Sequence, residues 1–319
     1  MSASKYFWRP IDLVGCHLLG KRFVGGFSIP EVLRTGEELK SLGYRVSYNL
    51  LGEHVGYRCV VFKTTETILN LMGAMNSENR GNVVIKPTQC GLEISPDLFH
   101  EEVEKIVRRG REIGIETEFD AEHSRYVEDA FRVFHELASK FHYAGFMRQC
   151  VQAHLKALRA LMDKYNLWKM NLRVVEGSQV YPELAGVVFE DREQILEQYC
   201  YILRRNHAEG KVPYVATVRD RRKVNAAKKI LPSPFMVEFQ MLYNDLPFGL
   251  FGRELGEELI EGRDLREGPG GLDTGWPVRI YIPFVVPWCK DAWKEYGLRR
   301  SAMMRRLMWE ELKYRGGGK

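Results

Sequence analysis

The sequence predicts an α/β protein of the (β/α)8 barrel class, preceded by an N-terminal helical segment, and three observations carry that prediction. Short runs of β-branched and apolar residues recur eight times, with the composition of buried parallel strands. Most of the stretches between them repeat apolar residues at i, i+3, i+4 and i+7, the stripe of an amphipathic helix. Units of this kind in alternation close into a barrel through right-handed crossovers. The rival arrangement, a doubly wound open sheet, usually carries a Gly-rich phosphate turn after its first strand. Here "NLLGEHVGYRC" at 49–59 holds no GxGxxG.

The elements follow in order. Residues 1–44 read as an N-terminal helical extension, with a helix around 30–43, and 45–315 as the barrel. The strands are "RVSYNLLGE" (45–53), "NVVIKPTQ" (82–89), "IGIETEFDAE" (113–122), "MRQCVQA" (147–153), "MNLRVVEGS" (170–178), "VPYVATVR" (212–219), "FMVEFQML" (235–242) and "VRIYIPF" (278–284). Clear helical periodicity marks 124–141 and 192–210, and a last helix is expected from about Cys289 to Tyr314. Residues 244–276, Gly-rich and charged, read as an enlarged loop before strand eight. No low-complexity linker interrupts the chain, so a single domain over 1–319 is expected.

Composition removes several function classes. The chain has 319 residues, 45% of them hydrophobic, enough for a large packed core. Residues 296–319 carry seven Lys/Arg against two Asp/Glu, an excess equal to the whole formal charge of +5, so the rest of the chain is formally neutral. A nucleic-acid binder spreads basic charge over a face of its fold, and no nucleic-acid partner is expected. The six cysteines, Cys16, Cys59, Cys90, Cys150, Cys200 and Cys289, form no CxxC pair and read as reduced core thiols. No apolar run approaches the ~20 residues of a membrane span, and the N-terminus has no signal-peptide core. A cytoplasmic protein is expected. The basic, Met- and Trp-rich end of the last helix is a candidate for peripheral contact with a membrane surface, although a solvated tail is its plainer reading.

In this fold the active site forms at the C-terminal ends of the strands. The chain carries polar residues there: Glu53 and His54 after strand one, Lys86, Thr88 and Gln89 after strand two, Asp120 and Glu122 after strand three. Gln152 follows on strand four, Arg173 and Glu176 on strand five, Thr217 on strand six, Glu238 and Gln240 on strand seven, and Tyr281 on strand eight. Charges inside apolar strand runs are costly to bury. Lys86, Asp120, Arg173 and Glu238 therefore need partners or ligands, and all four are expected on one face.

Ten segments carry a resemblance: "KRFVGG" (21–26), "LLGEHV" (50–55), "IKPTQCGL" (85–92), "DAEHSRYVE" (120–128), "VQAHL" (151–155), "LRVVEG" (172–177), "VATV" (215–218), "EFQMLY" (238–243), "VRIYIPF" (278–284) and "YGLRR" (296–300). In order and approximate spacing the chain resembles the proline dehydrogenase family over nearly its whole length. The resemblance implies a distorted (β/α)8 barrel that binds FAD and removes a hydride from the proline ring to give pyrroline-5-carboxylate. It also implies an electron acceptor, a quinone or oxygen, and leaves the oligomeric state open.

The implied roles suit the residue types. A substrate carboxylate calls for guanidinium forks, and the resemblance makes Arg299 and Arg300 that clamp, with Lys86 as a third cation. Glu53 is then the partner of Arg299, and Asp120 the carboxylate that steadies Arg300 and Lys86. Tyr281 and Tyr296 are the aromatics that pack on the ring. Gln152, Arg173, Val175, Gly177, Ser178, Thr217 and Gln240 fall on cofactor positions. Arg173 would stabilise the anionic reduced flavin and raise its potential.

The chain also departs from the family pattern. Glu176 stands where the family has a cofactor-contacting Lys, Gln179 replaces an aromatic, and Val218 replaces a flavin-side His. Met303 and Met304 replace two polar residues after the clamp. These changes keep a second reading open, the same fold oxidising another secondary or α-amino acid. A third reading, of another class, is a barrel without flavin that binds a ligand or uses Glu53, His54, Asp120 and Glu122 around a metal. Adjacent strand residues point to opposite faces, so Glu53 and His54 would supply only one inward ligand between them.

Overall fold

A computed structural model describes residues 23–140, 144–177, 183–216, 221–243, 275–294 and 296. Eight parallel strands close in sequence order into a barrel: β1 (Arg45–Leu50), β2 (Asn82–Ile85), β3 (Thr117–Phe119), β4 (Met147–Gln152), β5 (Asn171–Val175), β6 (Tyr214–Ala216), β7 (Glu238–Leu242) and β8 (Val278–Phe284). Every run expected to be a strand joins the sheet, but most of the ladders are shorter than the apolar runs. β1 stops at Leu50, so Glu53 and His54 lie in the loop beyond it, and His54 takes a left-handed φ of 53°. The inward-outward rule for neighbours on a strand therefore does not govern that pair.

Among the described residues the helices are α1 (Ile29–Ser41), α2 (Arg58–Ala74), α3 (Pro96–Ile113), α4 (Ser124–Lys140), α5 (Leu158–Lys164), α6 (Arg192–Ala208) and α7 (Arg221–Ile230). Local chemistry fixes their ends. The Ser95 hydroxyl accepts from the Leu98 N–H, Pro96 opens α3, and Gly114 closes it in the left-handed region. Of the expected last helix, the described part holds a 3-10 turn, Pro287–Cys289, and a helical stretch at 292–294. The remainder lies outside the described residues, as does the loop at 244–274. Among the described residues no helix is long and apolar enough to cross a membrane.

The wall has two differently built faces. Val46, Tyr48, Ile85, Phe119, Val151, Leu172, Val174, Phe239, Ile280 and Ile282 are buried in the main apolar cluster, which includes the helices. Tyr48 shows the fit: a Cβ on Gly36 of α1 would lie 1.8 Å from the Tyr48 hydroxyl oxygen, so only glycine lets that ring reach the helix. The period of two then turns Arg45, Ser47 and Asn49 inward. The same alternation lines the interior with Asn82 and Val84, Glu116, Glu118 and Asp120, Arg148 and Cys150, Arg173, Tyr214, Glu238 and Gln240, Arg279 and Tyr281. Barrel interiors are ordinarily filled by Val, Ile and Leu, and this one is mostly polar.

Glu238 corrects an expectation. It opens β7 and therefore lies at the N-terminal end of the barrel, opposite the face expected for it. There it binds Arg279 and Arg45. Burial alone would raise its carboxyl, but Arg279 and then Arg45 hold it below the usual range.

Candidate active site at the C-terminal mouth

The site is built around Asp120, just beyond the end of β3. One carboxylate oxygen accepts from Arg173 Nη1 at 2.7 Å, and the other accepts from the Tyr281 hydroxyl at 2.7 Å. Lys86 Nζ lies 3.8 Å away and also binds Glu53. β2 ends one residue before Lys86, so Pro87 and the turn after it aim the ammonium across the mouth. The Arg173 guanidinium lies 5.0 Å from the centre of the Tyr281 ring, within cation–π range.

Electrostatics follow from these contacts. Burial would raise the Asp120 carboxyl, yet Arg173 first, then Lys86 and the Tyr281 hydroxyl, hold it below its ordinary value. Burial and then the Asp120 charge push the Tyr281 hydroxyl well up, so it stays a donor. Glu122 differs: burial pushes it up to about 7, against the pull of Lys86 and of its Thr88 bonds. Its Oε1 accepts from the Thr88 amide at 3.0 Å and hydroxyl at 2.9 Å, while its buried Oε2 has no hydrogen-bond partner.

Three of the residues expected in the site are thus brought together with Arg173: Lys86, Asp120 and Tyr281. Asp120 lies beside Lys86, as expected, and also takes Arg173 as its close cation, while Glu53 pairs with Lys86. Arg299 and Arg300, the other expected partners of Glu53 and Asp120, lie outside the described residues. Tyr296 is buried in an apolar cluster with Phe23, Val24, Leu51, Val285 and Trp293, beside the ends of β1 and β8. Gln152 spends its amide on the Glu122 carbonyl at 2.6 Å. Gln240 reaches Glu118, and Val175 ends β5 on the same face as Arg173. Ser178, Thr217, Gln179, Val218, Met303 and Met304 lie outside the described residues.

Two participants were missed. Glu118 is fully buried one layer below Asp120, 3.3 Å from Arg173 Nε. Counting back two residues from Asp120 would have found it. His154, within the quoted "VQAHL", is 7% exposed, and neither ring nitrogen has a hydrogen-bond partner. Burial lowers its basicity, so it is a neutral imidazole. Its ring also explains Gly177: a Cβ there would lie 1.5 Å from His154 Nδ1, and φ is +115°. Glu176, at the departure from the family pattern, is paired with Lys223 of α7. Among the described residues, no group of three or more His, Cys, Asp or Glu side chains is arranged to hold a metal ion. Asp120 and Glu53 of the metal reading are taken up by cations.

Comparison with known proteins agrees with the barrel fold. The sequence model of the proline dehydrogenase family matches residues 32–177. Proline dehydrogenase 2 of Bacillus subtilis (strain 168) is 24% identical over 293 residues, covering 90% of this chain and 87% of that protein. Proline dehydrogenase 1 of the same strain is 24% identical over 308 residues, covering 95% and 92%. Among solved structures, proline utilization A (PutA) from Bdellovibrio bacteriovorus, inactivated by N-propargylglycine, superposes with a TM-score of 0.69 at 17% identity, over 89% of this chain and 32% of that one. A variant of PutA from Bradyrhizobium japonicum gives 0.69 at 18% identity, over 89% and 30%. The chain therefore spans about a third of the length of these two structures, and at such identity the likeness concerns the fold. With the family model over residues 32–177, curated relatives along nearly the full length and the shared barrel, the chain is similar to the proline dehydrogenase family in sequence and in fold.

Proposed function

We propose that the chain is an FAD-dependent dehydrogenase that oxidises L-proline to 1-pyrroline-5-carboxylate, with electrons leaving to a quinone or to oxygen. The observation that carries this reading is the Asp120 hub, which holds Lys86, Arg173 and Tyr281 together at the C-terminal mouth. Lys86 presents an ammonium to a substrate carboxylate, and Arg299 and Arg300 add their guanidinium forks from the segment beyond β8. Tyr281 and Tyr296 supply ring-packing surface. Glu53 and Asp120 neutralise the cations, so that they stay ordered before substrate arrives.

The residues fit a flavin. The buried, unpartnered nitrogens of His154 beside Gly177 offer polar contacts that nothing else in the described protein uses. Arg173 is a permanently charged guanidinium at the middle of β5, aimed at Asp120. Arg173, Val175, Gly177 and His154 would line the cofactor, together with Gln152, Ser178, Thr217 and Gln240. FAD, when bound, accepts the hydride from the carbon next to the substrate amine. The work of this chain is to orient the ring, fix its carboxylate and keep a positive charge by the cofactor.

A second reading, oxidation of another secondary or α-amino acid, is favoured by the Glu176–Lys223 pair, which puts an acid where the family has a Lys. Anaerobic addition of a panel of imino and α-amino acids separates the two. L-proline should bleach the flavin most readily; bleaching by another acid while L-proline leaves it oxidised would overturn the first reading in favour of the second.

A further inference from the structure

Glu118 is sparsely held for a buried acid. It is fully buried, and its hydrogen bonds among the described residues come from one group, the Gln240 amide, 3.2 Å from each carboxyl oxygen. Arg173 Nε lies 3.3 Å away without making a hydrogen bond, while Arg173 Nη1 is committed to Asp120. A carboxylate taken fully out of water needs several donors to offset the desolvation. The Glu238 carboxylate, for comparison, is bound by two arginines.

Charge balance points the same way. Among the described residues at the mouth, Lys86 and Arg173 face Glu53 and Asp120. An ionised Glu118 would add a third carboxylate beneath those two cations. Gln240 also has an unpaired Oε1. Its amide can turn to offer that oxygen to a carboxylic acid, a contact that a carboxylate, having no proton, cannot make.

We propose that Glu118 is a buried acid that keeps its proton in the resting barrel and acts as the positioning residue for Arg173, setting how much of that guanidinium's charge reaches the mouth. Burial raises the Glu118 carboxyl, and Arg173 only partly pulls it back. The charged and titratable groups acting on it are Arg173 from β5, Cys150 from β4, Tyr281 and Arg279 from β8, and Asp120 on its own segment. When the O–H bond ionises, the proton passes to solvent and a carboxylate is left beside the guanidinium. Arg173 then faces two anions, and its field at the mouth is spent below. With the proton in place, Asp120 is its one close anion among the described residues, and the remaining charge is available to an anionic ligand or, on the reading above, to a reduced flavin.

The test begins with the protein alone. Infrared difference spectra of the parent against Glu118→Gln at neutral pH should show a protonated-carboxyl band, present in the parent and fading at alkaline pH. Labelling with δ-13C-glutamate in a Glu122→Gln background should shift that band, a check that requires no change at Glu118. No such band at neutral pH in either experiment would overturn the proposal. The second readout rests on the flavin reading: Glu118→Gln should match the parent's flavin midpoint potential at low pH and lie above it at alkaline pH. Equal potentials at every pH would refute the control of Arg173. A protein that takes up no flavin would sink the proposed function, while the infrared result would still decide the state of Glu118.

Discussion

The two ends of the barrel use the same residue types to opposite effect. At the N-terminal end, Arg148 grips Glu116 through two bonds of 2.8 and 3.1 Å and donates to the Leu172 carbonyl, and Asn82 adds a third donor to Glu116. Arg279 binds Glu238, the Val46 carbonyl and the Tyr214 hydroxyl. Arg148 also stacks on the Tyr214 ring, 3.3 Å from its centre. Each of these carboxylates has cations and donors of its own, and the network closes the barrel. At the C-terminal end, Glu122, Asn49 and His154 keep buried polar atoms without hydrogen-bond partners. A saturated network holds a fold together; an unsaturated one awaits a ligand.

Breaking the closed end should cost the most. Among the described residues, Arg279→Met leaves the buried Glu238 carboxylate with only the half-exposed Arg45 as an ion-pair partner, and should destabilise the protein by about 3–5 kcal/mol in chemical denaturation. Glu122→Gln sharpens the contrast in the other direction. A carboxyl raised to about 7 contributes stability that is fully present below its unfolded value and lost as pH rises through about 7. The variant should therefore gain up to about 3 kcal/mol over the parent above pH 7, and nothing near pH 4, when melting is followed across pH. Asp120 has the opposite sign. Its lowered carboxyl stabilises the fold above the ordinary aspartate range, and that contribution is lost as pH falls through its folded value. Asp120→Asn should flatten the acid limb of the same profile.

Gly177→Ala should cost about 1–3 kcal/mol from strain and collision, and a double-mutant cycle with His154→Ala should recover part of it if the ring is the obstacle. Arg45→Ala should have the smallest effect, under about 1 kcal/mol, because its side chain is 59% exposed and Arg279 still holds Glu238.

How far the sequence could be read follows from the same division. All eight strands were legible because their runs are apolar on the wall face and bounded by polar turns. Ladder ends were not, since hydrogen bonding stops where the chain turns away, as at Leu50, while the apolar run continues. Lys86 and Asp120 stood out as polar residues at strand ends, and Tyr281 as a polar residue within an apolar run. Their pairing did not, because which carboxylate an arginine meets depends on strand tilt and register across the barrel. Glu238 was misread because strand membership alone does not say which mouth a residue faces; as the first residue of β7 it lies at the N-terminal one. Glu118 was not legible because it lies inside the short β3 run, two residues before the polar residue that marks the strand's end.

On the proposed function, the most direct test of the division between a ligand-binding end and a closed end is the L-proline concentration that half-bleaches the flavin under anaerobic conditions. It should be measured in the parent, in Lys86→Met and in Arg45→Ala at matched flavin content. Loss of one charge-assisted carboxylate contact should raise that concentration about tenfold or more in Lys86→Met and leave it unchanged in Arg45→Ala. An unchanged value in Lys86→Met, or an equal rise in both variants, would contradict the assignment of the C-terminal mouth as the substrate end.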